Sequence, residues 1–533
     1  MAPPPEPLES AEPLYDGALK AAKPLRARVG CDAKPTKISP FIYGIAAGDQ
    51  GWANVKPTVR RWGGNPASRY NWEGHFNNSA KDWFFENHAT GPYNQFLAET
   101  AAQSALTALT VPMLGWVAKD AASYSFPVSV FGPQRETDPW RRDAGNGVSA
   151  ANVNLAPGPP TRTSIEAPPD WVKRWVSAIR ASDSSSGKRS VYEYILDNEP
   201  MLWHSTHRDV HPDPVGYDEL LDRTIRYGSA IREADPDAII AGPAEWGWSN
   251  YTSSAKDLSG HGFNTDRLAH GNTALVEWYL RKLGEHEQKT HTRVLDVLDF
   301  HYYPQASNVY GGGDGGVDRA TQLLRLRSTR SLWDGGYVDE SWIKDTIRLL
   351  PRMTEWVDEN YPGRGISIGE WNFGGQKDIT GALAIAEVLG RFGQFGVTSA
   401  FYWTSPPAGS ASTFGFLAYR NFDGSGGHFL DWFVPTKSVD NLSLFASRDR
   451  DGKHFVIVAI NMDPETPLLV DLDFGSCGTV VSYQAYVYAR GASGFVPSSL
   501  TPGRAATVER PFPPWSISVL DVRLSEQRGV PPL

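Results

Sequence analysis

The stretch VYEYILDNEP, residues 191–200, decides the fold that this sequence predicts. Its first six residues form an apolar run of strand length, and Glu199 follows just before Pro200, which cannot continue a strand. A second stretch, GISIGEWNF at residues 365–373, has the same plan and ends its run at Glu370. Apolar runs of this kind are typical of buried parallel strands, whose carboxyl ends hold the ligands of α/β sheets and barrels. We therefore expect the two glutamates to meet at one such mouth.

Six further segments share this strand-like character, and amphipathic helical patterns separate many of them, as in βα units. The eight candidate strands are residues 41–46, 58–62, 108–116, 191–197, 238–242, 294–301, 366–369 and 400–403. Helices are predicted at residues 170–181, 217–234 and 273–283. Eight βα units predict a closed (β/α)8, TIM-like barrel over residues 41–427, with Glu199 after the fourth strand and Glu370 at the end of the seventh.

The sequence changes its pattern after the barrel, where short strand-like segments alternate with Gly, Pro and Asp turns. This pattern predicts an antiparallel β-sandwich at residues 428–533. Residues 25–40 precede the first barrel strand, and we expect them to contribute a strand that completes the sandwich. Residues 1–24 are predicted to be a disordered tail. Cys31 and Cys477, the two cysteines of the chain, would then share a domain, and the sequence leaves their pairing open.

Composition excludes several classes of partner. The chain has 533 residues and a net charge of -9, and no concentrated run of Lys and Arg, so a nucleic-acid partner is not expected. No apolar run reaches the length of a membrane span, so no membrane association is expected either. Nineteen tryptophans are more than usual, and flat rings suit both a dense core and the apolar faces of sugars.

Two carboxylates at one mouth are typical of glycosidases, in which one shuttles a proton and the other attacks an acetal carbon. A single glutamate is more often a surface or capping residue, so the pair carries the argument. Other polar and aromatic residues at predicted strand ends form candidate substrate-binding positions. They are Arg61, Trp62, Asn65, Trp116, Asn198, Trp203, His301, Tyr303, Trp371 and Trp403. Core packing is the alternative reading of each tryptophan.

The sequence does not require a cofactor. His204, His207 and His211 have spacings that suit a metal, but two prolines interrupt the stretch that follows, so we interpret it as a loop beside the groove. An acidic loop near Asp138 and Asp143 leaves a structural calcium open.

Five motifs in this sequence resemble glycoside hydrolase family 44. They are RWGGN at 61–65, SRYNWE at 68–73, DNEPMLWHSTH at 197–207, DFHYYP at 299–304 and GEWNFG at 369–374. The resemblance implies a TIM-like barrel with a split β-sandwich and a retaining endo-β-1,4-glucanase, xyloglucan being one further substrate. It also implies that Glu199 is the acid/base and Glu370 the nucleophile.

The expected partner is therefore a β-glucan polysaccharide or oligosaccharide. From this substrate we expect a secreted, extracellular protein, and we expect a monomer. Two alternatives stay open: another β-glycanase, such as a mannanase or xylanase, and a non-catalytic carbohydrate-binding protein that uses the aromatic groove.

Overall fold

Eight parallel strands form a closed barrel in a computed structural model that describes residues 23–46, 51–259, 264–499 and 501–525. In chain order the strands are β1 (Gly44–Ala46), β2 (Val59–Trp62), β3 (Leu106–Val111), β4 (Val191–Leu196), β5 (Ile239–Glu245), β6 (Val297–Tyr302), β7 (Gly365–Trp371) and β8 (Ser399–Tyr402). Each strand pairs with the next, and β8 pairs with β1 to close the barrel. The predicted fold class is confirmed. The predicted tail lies outside the described residues up to residue 22.

Amphipathic helices cover the outside of the barrel. The longer ones are Tyr93–Ala102, Pro169–Ser186, Tyr217–Ala234, Leu275–Thr290, Arg319–Ser328, Leu349–Asn360, Ile379–Gln394 and Ala411–Arg420. Their buried faces include Trp171, Trp175 and Trp278, which belong to the main apolar core.

Several strand boundaries differ from the prediction, among them the starts of the first and sixth strands, which begin at Gly44 and Val297. The differences at the third and fifth strands change which residues lie at the mouth. The third strand ends at Val111, and Trp116 instead begins a short strand, Trp116–Ala118, that pairs antiparallel with Ser164–Glu166 outside the barrel. Pro112 interrupts the apolar run and removes a ladder donor, which explains the early end. The fifth strand is longer than predicted and continues through Pro243 to Glu245.

The barrel interior holds polar side chains beneath the mouth. The hydroxyl of Ser399 donates to Glu193 at 2.9 Å and lies 3.0 Å from the hydroxyl of Ser367. Burial and the neighbouring charge of Asp299 raise the pKa of Glu193 to about 8. Ser399, Ser367 and one oxygen of Glu193 are hydrogen-bonded to one another, and they form a polar floor below the residues at the mouth.

The second domain is a sandwich of two sheets. One sheet has the strand order Thr436–Lys437, Leu25–Val29, Leu468–Asp473 and Thr507–Phe512. The other has the order Thr36–Lys37, Trp432–Val434, Leu442–Arg448, His454–Asn461, Ser516–Leu524, Val480–Ala489 and Val496–Pro497, with Thr501–Ala505 also on Val480–Ala489. Their facing side chains form a separate apolar core.

The N-terminal strand completes this sandwich, as the fold-class prediction requires. Leu25–Val29 pairs parallel with Leu468–Asp473, although most pairs in the domain are antiparallel. A disulfide joins Cys31 to Cys477 across a sequence separation of 446 residues. The outer face of the larger sheet packs on the barrel through Phe445, which contacts helix Ile379–Gln394 at Gly390. Among the described residues, no helix combines the length and the apolar character that a membrane crossing needs.

Candidate active site

Glu199 lies in a turn that neighbouring strand ends hold from two sides. Asp197 and Glu199 both adopt left-handed backbone conformations, with φ of 64° and 47°. The backbone N–H of Glu199 donates to the carbonyl of Ala244 on β5 at 3.0 Å. The Asp197 carboxylate accepts the N–H groups of Met113 and Leu114, which follow β3. Residues outside the common regions of backbone conformation cluster at functional sites, where the surroundings enforce them.

Glu370 lies at the end of β7 and receives donors on both carboxylate oxygens. Arg61 Nη1 donates to its Oε1 at 2.5 Å, and the hydroxyl of Tyr303 donates to its Oε2 at 2.7 Å. Arg61 also donates from Nη2 to Oδ1 of Asn198 at 2.9 Å. This one guanidinium therefore links the strand ends of β2, β4 and β7, and it fixes the Glu370 carboxylate in position.

His301 brings the two glutamates together. Its Nδ1 lies 2.9 Å from Oε1 of Glu199 and 3.5 Å from Oε2 of Glu370. One oxygen of each carboxylate and this ring nitrogen all lie within 4.8 Å of one another. Retaining glycosidases place their carboxyl groups about 5–5.5 Å apart, whereas inverting ones leave about 6.5–9.5 Å for a water. The separation of Glu199 and Glu370 fits the retaining geometry.

The surroundings of the two glutamates shift their pKa values in opposite directions. Burial raises the pKa of Glu199, and the charge of Glu370 adds to that shift. Burial also acts against ionisation of Glu370, but the charges of His301 and Arg61, with the hydrogen bonds of Arg61 and Tyr303, lower its pKa overall. Two carboxyl groups whose pKa values are shifted apart in this way supply a protonated acid and an ionised carboxylate at the same pH.

A third buried carboxyl lies beside Glu199 and escaped the sequence analysis. Glu245 ends β5 and has no exposed surface. Burial first, and then the charge of Glu199, raises the pKa of Glu245 well above its ordinary value. The predicted strand ended at residue 242, so Glu245 did not stand out as a strand-end residue.

Several predicted substrate-binding residues lie beneath the site instead. Arg61 and His301 have no exposed surface, and both contact the catalytic glutamates. Trp203 is also fully buried, and its indole N–H donates to the carbonyl of Asn198 at 3.2 Å. Trp371 is fully buried and packs edge-on against Phe392. All four side chains are buried in the structure, and their contact with substrate stays a prediction.

Other predicted residues keep partial exposure. Trp62 packs edge-on against Phe96 of the adjoining helix, while Trp116 lies outside the barrel as described above. The Trp403 ring lies against Gly64, where a Cβ would come within 2.7 Å of it. Asn65 accepts from Asn198 at 3.2 Å. Contact of these residues with substrate stays a prediction. The same holds for Tyr303 and for Asn198, of which Asn198 is 2% exposed.

In the part of the chain that the structure describes, candidate metal ligands come together at the two glutamates. One group of three candidate ligands, Glu199, His301 and Glu370, lies close enough to hold an ion. The guanidinium bound to Glu370 competes with a cation at this position. Asp143 accepts from Ser129 and Tyr124, and Asp138 accepts from Trp140, so both carboxylates already serve the loop. The calcium there stays a prediction.

Comparison with known proteins relates this geometry to a family. A model of glycoside hydrolase family 44 matches residues 76–306. The structure of CelM2, a bifunctional glucanase-xylanase protein from a metagenome library, is 33% identical with a TM-score of 0.88, covering 94% of this chain and 99% of that one. A family 44 xyloglucanase from Paenibacillus polymyxa is 25% identical with a TM-score of 0.79, covering 95% of this chain and 100% of that one.

A curated relative adds a further activity. The Beta-mannanase/endoglucanase A of Caldicellulosiruptor saccharolyticus is 28% identical over 500 residues, which is 86% of this chain. This chain spans 36% of the length of that relative. The fold and the paired glutamates define a glycoside hydrolase of the TIM-barrel type. Within that class, the chain belongs to glycoside hydrolase family 44, as its five motifs predicted.

Proposed function

We propose that this protein is a retaining endo-β-1,4-glucanase. The observation that carries the proposal is the pair Glu199 and Glu370, with carboxylate oxygens within 4.8 Å and pKa values shifted in opposite directions. That separation suits double displacement, and the opposite pKa shifts support a separate role for each residue.

In the first step Glu370 attacks the anomeric carbon while Glu199 donates its proton to the leaving glycosidic oxygen. The C–O bond breaks, and a covalent glycosyl-enzyme remains on Glu370. Glu199, now ionised, accepts a proton from water, and the water oxygen displaces Glu370 from the anomeric carbon. Two inversions retain the β configuration. The two carboxyls supply both the proton and the nucleophile, so the cycle proposed here requires no cofactor.

The polysaccharide is proposed from relatives of this chain. CelM2 is described as a glucanase-xylanase, and the Paenibacillus polymyxa relative is a xyloglucanase. We assign a β-1,4-glucan as the principal substrate, with xyloglucan accepted. Xylan is the second candidate, because the 33% identical relative carries that activity in its description. Mannan is a third, from the curated relative.

We also propose that the protein acts outside the cell as a monomer. Polymeric glucans do not cross membranes, and the Cys31–Cys477 disulfide suits an oxidising compartment. Analytical ultracentrifugation and the thiol content of the native protein test these two statements.

A substrate panel tests the activity. The protein is incubated with carboxymethyl cellulose, mixed-linkage glucan, xyloglucan, xylan and mannan, and new reducing ends and viscosity are followed together. An endo enzyme lowers viscosity early, before many reducing ends appear. NMR of the first product from a cello-oligosaccharide is expected to show the β anomer. Binding to these sugars without any product, or an initial α anomer, would contradict the proposal.

A further inference from the structure

Two tryptophans are far more exposed than the others. The chain has 19 tryptophans, all within the described residues. Trp140 is 82% exposed and Trp342 is 57% exposed, while the remaining tryptophans are buried or partly buried. Tryptophan is highly buried on average, and a large exposed ring commonly marks a binding surface. The position of each ring relative to the barrel mouth indicates its ligand.

Trp140 belongs to a preorganised pair of rings. It stacks on Trp83 with ring centroids 5.6 Å apart and an interplanar angle of 27°. Asp138 holds the pair, because its carboxylate accepts the indole N–H of Trp83 at 3.3 Å and the backbone N–H of Trp140 at 2.8 Å. Trp83 covers one face of Trp140, and the exposure of Trp140 shows that its other side is open to solvent.

This ring pair is connected to the catalytic glutamates from the β2 side. Asp82, next to Trp83, accepts from Nδ2 of Asn65 at 3.0 Å. Asn65 follows β2 and accepts from Asn198, which directly precedes Glu199. Two hydrogen bonds therefore connect the turn that carries Trp83 to the catalytic turn.

Trp342 is connected to the site from another strand. Its indole N–H donates to Gln305 at 3.4 Å, and the side chain of Gln305 donates to the carbonyl of Tyr303 at 2.9 Å. Tyr303 follows β6 and donates to Glu370. In the closed order of eight strands, β2 and β6 are four positions apart, so they lie on opposite sides of the mouth.

We infer that Trp140 and Trp342 are outer sugar-stacking subsites at the two ends of one glucan-binding cleft that crosses the mouth. This inference rests on the proposed function. A β-1,4-linked pyranose presents flat faces of C–H groups, which pack on an open indole ring as apolar surfaces do. A chain that continues past the glutamates in both directions reaches both rings, whereas a short oligosaccharide bound at the glutamates does not. The two platforms therefore favour cleavage within long chains.

The test compares long and short substrates in Trp140→Ala and Trp342→Ala. For each protein kcat/KM is measured on soluble mixed-linkage glucan and on an aryl cellobioside, and the ratio of the two values is taken. Each substitution is expected to lower the ratio roughly five- to tenfold, mainly through KM on the polymer, because the loss of one aromatic platform weakens binding by about that factor. Trp140→Phe retains a flat ring and is expected to restore most of the ratio.

Leu268→Ala is the matched control, because Leu268 is an apolar side chain that is 61% exposed and carries no ring. Calorimetric titration of a Glu199→Gln background with cellohexaose gives a readout that is independent of turnover, and Kd is expected to rise in both tryptophan variants. Wild-type ratios and wild-type Kd in both variants would overturn the inference while leaving the proposed function intact. Failure of the unmodified protein to cleave either substrate would instead refute the proposed function itself.

Discussion

Removal of the proposed acid/base gives the sharpest test of the roles of the two glutamates. In Glu199→Ala the carboxyl that lies 2.9 Å from His301 is lost, while Arg61 and Tyr303 still hold Glu370. General acid catalysis contributes about 10²–10⁴-fold to such reactions, which corresponds to ~3–5 kcal/mol of transition-state stabilisation. Cleavage of a glucan, whose leaving alcohol needs a proton, is expected to fall by roughly that factor.

The size of the loss depends on the leaving group. A 2,4-dinitrophenyl cellobioside departs without protonation, so the first step on this substrate is expected to stay near the unmodified rate. Hydrolysis of the glycosyl-enzyme still lacks its base, so a burst of dinitrophenolate should precede a slow steady state. Stopped-flow absorbance measures both phases. Added azide needs no base and is expected to release a β-glycosyl azide, which NMR identifies.

Glu370→Gly is the matched variant, because it removes the partner carboxylate and leaves Glu199 in place. It is expected to give no burst on the aryl glycoside, and to transfer an α-glycosyl fluoride to an acceptor sugar. An α-azide from the Glu199 variant, or near-normal glucan hydrolysis by either variant, would refute the assignment of roles.

Three further predictions concern the Tyr303 hydroxyl, the pH profile and the N-terminal strand. Tyr303→Phe removes a hydrogen-bond donor to the Glu370 carboxylate. A charged hydrogen bond contributes about 1.5–3 kcal/mol, so kcat/KM should fall roughly 10- to 150-fold. The acidic limb of the pH profile of kcat/KM should also move to higher pH. Tyr310→Phe, whose ring packs 4.7 Å from that of Tyr303, is the control, and equal profiles for both variants would contradict the role of the hydroxyl. In the unmodified protein, activity should fall as Glu370 is protonated at low pH and as Glu199 ionises at higher pH, which gives a weakly acidic optimum. An activity plateau that extends into alkaline pH would argue against Glu199 as the acid. Deleting residues 1–40 removes Cys31 and the strand that pairs with Leu468–Asp473, so calorimetry should show a lower melting temperature or aggregation. Deleting residues 1–15 should change the melting temperature little. Equal melting temperatures for the two deletions would contradict the role of the strand.

The sequence alone determined the barrel, the sandwich and the two glutamates. Apolar runs of strand length that alternate with helical patterns predict the barrel, because strand and helix periodicity are local properties of the chain. Glu199 and Glu370 follow such runs, so their place at the carboxyl end of a parallel sheet required no knowledge of distant contacts. Short strand-like segments separated by turns after residue 427 predict an antiparallel sandwich. Residues 25–40, which precede the barrel, predict the strand that completes it.

The tertiary structure decided which side chains surround the glutamates and which rings face solvent. Tryptophans at strand ends look alike in sequence, yet Trp203 and Trp371 are fully buried while Trp140, in a loop that no strand pattern marks, is exposed. The separation of the two pKa values likewise depends on Arg61, His301 and Tyr303, which come from other strands. Sequence periodicity assigns a residue to a strand or helix. Burial and electrostatic coupling depend instead on which strands and helices the closed barrel brings within a few ångströms of one another, and those contacts join residues far apart in the chain.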